Sequence, residues 1–146
     1  MRRGLGLCLV LGLLGVTSGC GDDPIESYCA EVEVQQKPIT EAVAAGATGL
    51  LLALPSFEAL RDKAPDDIAD KWAVVVQRIS VLEEALDDAG VDPASYDPEQ
   101  PPADLSKDEL AAITAAASGL VTEATTEALD SVQQHARDVC KTPLSL

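Results

Sequence analysis

Basic and aromatic side chains are both scarce in this chain. Lys and Arg number 10 against 25 Asp and Glu, and Phe57, Trp72, Tyr28 and Tyr96 are the whole aromatic complement of 146 residues. A surface so poor in cations excludes nucleic-acid binding, because phosphate contact needs clustered Lys and Arg. No polybasic stretch exists to hold anionic lipid either. The one histidine, His135, excludes histidine-based metal clusters, and the sequence has no CxxC pair, HExxH, P-loop or GxGxxG. Neither a metal nor a cofactor is expected, and without a catalytic motif the expectation is a protein that is not an enzyme.

What is present begins with a targeting pattern. Arg2 and Arg3 precede an uncharged apolar run over residues 4–16, shorter than the ~20 residues of a spanning helix. Small Thr17, Ser18 and Gly19 then lead to Cys20. The layout predicts a secretory signal over residues 1–19. It resembles the bacterial lipoprotein signal, in which the cysteine after a small-residue box is lipidated and becomes the first residue, although Thr17 stands where that family usually has Leu. The resemblance implies lipid on Cys20 and export to the outer face of the cytoplasmic membrane. The membrane is then a partner through that lipid.

Cysteine counts agree with this. Cys8 lies in the apolar run and leaves with it, so Cys20, Cys29 and Cys140 remain, an odd number for an exported chain. If Cys20 carries lipid, Cys29 and Cys140 form a pair that an oxidising compartment would join. Two acyl chains anchor stably where one binds only marginally. Loss of the signal leaves 8 basic residues against all 25 acidic ones, a formal charge of −17. Residues 20–23 make a short tether, and residues 24–146 suit one domain.

The periodicity of that domain is helical throughout and predicts an all-α fold: a small bundle of about four helices, the first ones kinked by proline, with a disulfide joining first and last. Asp23, Pro24 and Glu26 make a helix start, and Ile25, Cys29 and Val32 share a face. Pro38 should kink or interrupt this helix near Gln36, with a second segment over 39–45. The charge-free "AVAAGATGLLLALPSF" reads as a buried, kinked helix. Ile68, Trp72, Val75, Ile79, Leu82 and Leu86 form the heptad seam of the longest helix, closed by a left-handed Gly90. Four prolines keep 91–105 out of helix.

Ser106 and Glu109 then form a capping box for a last helix over 107–139. Its inner face should be Leu110, Ile113, Ala117, Leu120, Ala124, Ala128 and Val132, weakened locally by Gly119 and by threonines at 122, 125 and 126.

Three patterns are candidates for function. Leu50, Leu51, Leu52 and Leu54 are more leucine than one narrow stripe buries, so they line either a core or a hydrophobic ligand wall. Glu84, Asp87 and Asp88 crowd the end of the longest helix, and Asp92, Asp97 and Glu99 continue into the loop. This acidic surface would attract a cation or a basic partner, although no EF-hand spacing is present. Ser131, His135 and Asp138 share a helical face, yet adjacent turns of one helix supply neither a nucleophile elbow nor an oxyanion hole, and a solvated polar stripe is the simpler reading.

The lipoprotein-like box, "SYCAEV", "ALPSFEALRDKAPDDIADKW", "EEALDDAGVDP" and the terminal "ARDVCKTP" together resemble small uncharacterised actinobacterial lipoproteins with a helical extracytoplasmic domain. The resemblance implies architecture and no chemistry. The expected function is a lipid-anchored interaction or accessory module of the cell envelope. The alternative is an extracytoplasmic carrier of a hydrophobic ligand.

Overall fold

A computed structural model describes residues 23–46 and 48–146. The signal segment 1–19 and Cys20 lie outside the described residues. Among those described, the chain forms five α-helices and no strand: α1 Pro24–Val43, α2 Gly49–Lys63, α3 Asp66–Asp88, α4 Lys107–Leu120 and α5 Glu123–Asp138. None of these helices is long and apolar enough to cross a membrane. α3 is the organising rod, packed against α2, α4 and α5, while α1 lies on α2.

Local chemistry sets several helix ends. The Asp23 carboxylate accepts the N–H of Ile25 at 2.9 Å and opens α1, with Pro24 at the first helical position where a missing N–H costs nothing. Ser106 accepts from the Glu109 N–H while the Glu109 carboxylate accepts from the Ser106 N–H at 2.8 Å, so the capping box at α4 is complete. Hydrogen bonding from the Ser106 side chain, and then from its backbone N–H, holds the Glu109 carboxyl below its ordinary pKa. Gly90, at φ +67°, ends α3. Its N–H reaches the carbonyl of Asp87, and that of Val91 reaches the carbonyl of Leu86, satisfying two of the terminal acceptors.

Two expectations are corrected. The expected interruption near Gln36 and separate segment over 39–45 do not occur: α1 runs on through Pro38 to Val43, the proline on the solvent side while Val32 and Ile39, both fully buried, hold the helix on either side of it. Burial outweighs the one ladder bond that proline removes. The expected single last helix is two, divided at Val121 and Thr122. The threonines read as weak helix formers are the cause. Thr122 caps α5 by accepting from the Thr125 N–H, and the Thr125 hydroxyl donates to the carbonyl of Gly119 at 2.7 Å, taking one of the last acceptors of α4.

With that break, the inner faces also change. Leu110 and Ala124 are exposed, whereas Ala116 and Thr125 are buried beside the expected Ile113, Ala128 and Val132.

The core is built around Trp72, which has no exposed surface and lies 5.9 Å from Phe57 between ring centres. Its indole N–H donates to the Tyr28 hydroxyl at 2.9 Å, joining α3 to α1. Burial pushes the Tyr28 phenol above its ordinary pKa; the Trp72 hydrogen bond opposes that shift and the Asp67 charge adds to it. At the other end of α1, α2 begins so close that a Cβ on Gly49 would lie 2.7 Å from the Cα of Val43. Only glycine fits there. Cys29 and Cys140 are joined as a disulfide across 111 residues, tying α1 to the turn that follows α5. The tail beyond is packed down: Leu144 is buried, and the Pro143 carbonyl accepts from the Gln36 amide at 2.8 Å.

Candidate functional site

The four leucines of α2 divide by face. Leu51 and Leu54 belong to the core, Leu50 packs against it half-buried, and Leu52 is 43% exposed. Pro55, on the same exposed side as Leu52, leaves α2 unbroken while Leu54 and Phe57 anchor it.

The acidic residues also divide. Asp92 and Asp97 use their carboxylates on their own loop, accepting from the backbone N–H of Ala94 at 3.0 Å and of Glu99 at 2.8 Å. Both make turns of the kind that lets Asp stand in for a backbone acceptor. Glu84, Asp87, Asp88 and Glu99 are exposed, and among the described residues none of them forms an ion pair. No three His, Cys, Asp or Glu side chains among the described residues stand close enough together to hold a metal ion.

The Ser131, His135 and Asp138 stripe is not uniformly solvated, which corrects the expectation for His135. Its side chain is only 10% exposed, its Nε2 lies 3.3 Å from the Asp67 carboxylate of α3, and its ring meets the edge of Tyr28 at 5.4 Å. The Ser131 hydroxyl instead donates to the Glu127 carbonyl at 2.7 Å, one turn back in its own helix. The arrangement therefore ties α5 to α1 and α3 and forms no nucleophile and base pair.

What the sequence did not disclose is a groove between α3 and α4. It encloses about 470 Å³. Val81, Ala85 and Ala89 line it from α3, and Ala112, Ala115, Ala116 and Gly119 line it from α4. Their short side chains leave the space between the two helices unfilled. The charged groups along it are Glu84, Asp88 and Glu109, with Arg78 as the single cation. Arg78 marks one end, since a Cβ on Gly119 would lie 3.7 Å from its Cδ. The lining therefore runs antiparallel, from Arg78 with Gly119 to Asp88 with Glu109 at the opposite, acidic end. Val81 is 41% exposed in it, and Leu110, on the adjoining face of α4, is 38% exposed. That face continues through Ala111 and Ala115 as a shallow apolar depression with Lys107 at its edge.

The signal that marks this surface in the sequence is "LAAITAAASGL", apolar nearly all round a helix of which only Ile113 and Ala116 are buried. A helix apolar on every side normally lies inside a protein. Here most of its surface faces outward. Comparison with known protein families, with curated proteins and with solved structures finds no match to the chain.

Proposed function

We propose that this chain is an exported protein of the cell envelope, anchored by lipid on Cys20, whose helical domain is a non-enzymatic interaction or accessory module. The observation that supports an interaction role above all is the open groove between α3 and α4, an apolar surface flanked by Glu84 and Asp88, neither of them ion-paired among the described residues. Contiguous exposed apolar surface marks places where a protein, a membrane or a ligand is received. The carrier reading loses ground because the leucines that would have walled a ligand site pack largely into the core. The disulfide belongs to the same proposal, since such bonds persist outside the cytoplasm. So does the resemblance to small actinobacterial lipoproteins.

The test is Cys20→Ser in the native host. Mass spectrometry of the unaltered protein should show a diacylglyceryl group on the N-terminal cysteine and partition of the protein into the detergent phase. The variant should lose both while keeping its helical spectrum, because the tether precedes α1. Full detergent partition of the variant after signal cleavage would overturn the anchor.

A further inference from the structure

We propose that the groove between α3 and α4 receives a basic amphipathic helix of a partner protein. This rests on the reading of the domain as an interaction module and names the chemistry of what it binds. Three observations converge on a helix as occupant. Alanines line the groove from both sides and Gly119 from α4, so a guest backbone can approach closely, as small residues permit at helix contacts. Its length from Arg78 to Asp88 covers ten residues of rise on α3, or roughly 15 Å, which is about three turns of guest helix. Val81, 41% exposed within the groove, stands ready to meet the apolar face of a guest helix.

Charge decides the guest's polar residues. Glu84 and Asp88 are spaced by one turn on α3, and neither is neutralised by a cation among the described residues. Lys or Arg at matching spacing on a guest would meet both, with Glu109 across the groove at the same end. Arg78 at the other end favours the guest's carboxyl terminus there, where the helix dipole is negative, so the guest lies parallel to α4. A second copy of this chain would bring acid to acid. An anionic membrane would be repelled for the same reason. A small hydrophobic ligand would stay largely in water in an open trough, whereas ligand sites enclose most of their occupant.

The test uses a fluorescent synthetic helix with Leu at i, i+3, i+4 and i+7 and Lys flanking that stripe, and a twin in which every Lys is Glu. The full exported chain is isolated from its host and held in zwitterionic nanodiscs when lipidated or in buffer when not, with the corresponding blank, so the result does not depend on the anchor. Anisotropy should show micromolar binding of the Lys peptide, and binding of the Glu twin weaker by at least about tenfold. Ala112→Trp, a substitution at an exposed position that fills the groove, should abolish binding of the Lys peptide without changing the urea midpoint. The pair Glu84→Lys and Asp88→Lys should invert the preference between the twins.

Equal affinity for both peptides, or binding indifferent to both sets of variants, would overturn the proposal. A photocrosslinker introduced as Ala112→p-benzoylphenylalanine separates this failure from that of the interaction reading. A discrete protein adduct in intact envelopes, with no peptide binding, overturns the basic-helix guest and leaves an interaction module. Absence of both adduct and peptide binding overturns both.

Discussion

Breaking the bond between Cys29 and Cys140 tests how much of the fold rests on one covalent link. The bond closes a loop of 111 residues, for which the chain-entropy relation gives about 5 kcal/mol of stabilisation through restriction of the unfolded chain. Domains of this size have total stabilities of roughly 5–15 kcal/mol, so the bond accounts for a third of the total or more. After reduction the edge contact of Tyr28 with His135 and the exposed hydrogen bond from Gln36 to the Pro143 carbonyl still join the two chain ends, beside the packing of Leu144. α1 would then be held mainly by α2 and by the Tyr28 to Trp72 bond.

The assay is urea unfolding followed by circular dichroism, with and without a phosphine reductant, and with the double variant Cys29→Ser, Cys140→Ser. At a slope of roughly 2 kcal/mol per M, the midpoint should fall by roughly 2.5 M in both reduced and substituted protein. Hydrogen exchange should rise first in α1 and in the tail after α5. A shift of less than roughly 0.5 M, equivalent to about 1 kcal/mol, would show that the unfolded chain is already compact or that α1 docks unaided. Either result refutes the loop-closure reasoning.

Leucine truncations in α2 should separate by face. Leu54→Ala and Leu51→Ala are expected to cost about 2–5 kcal/mol each, whereas Leu52→Ala should lie within roughly 0.5 kcal/mol of the parent in the same urea assay. Equal small losses at all of them would return this segment to the role of a ligand wall. Tyr28→Phe leaves the buried Trp72 N–H without an acceptor and should cost about 1–3 kcal/mol, with the double change to Phe at 28 and 72 costing less than the two single changes added. The folded protein holds the Tyr28 proton more tightly than the unfolded chain does. Its contribution is therefore complete below the ordinary value of 10.0 and is lost as pH rises through the folded value. Alkaline urea titrations should show that component in the parent and not in Tyr28→Phe.

The acidic surface marks the boundary between what was legible and what was not. Glu84 and Asp88 are recognisable in the sequence as uncompensated charge near a helix end. Nothing within a few residues of them says that Glu109 and Ala112 lie across a groove from them. Similarly, His135 looked solvated because its neighbours on α5 are polar, while the groups that cover it, Asp67 and Tyr28, arrive from α3 and α1.

By itself the sequence determined whatever depends on a turn or two of chain. Asp23, the pair Ser106 and Glu109, and Gly90 set helix ends because their partners lie within four residues. The heptad seam placed Trp72 inside because a periodic apolar stripe must be covered by something. Tertiary structure alone decided three further points. α1 continues past Pro38 because Val32 and Ile39 are both clamped in the core. Gly119 and the threonines after it divide the last helix because the Thr125 hydroxyl, buried in the bundle, must find an acceptor and takes the Gly119 carbonyl. The groove opens because α4, so divided, meets α3 through alanine and glycine, too small to fill the space between two helix axes.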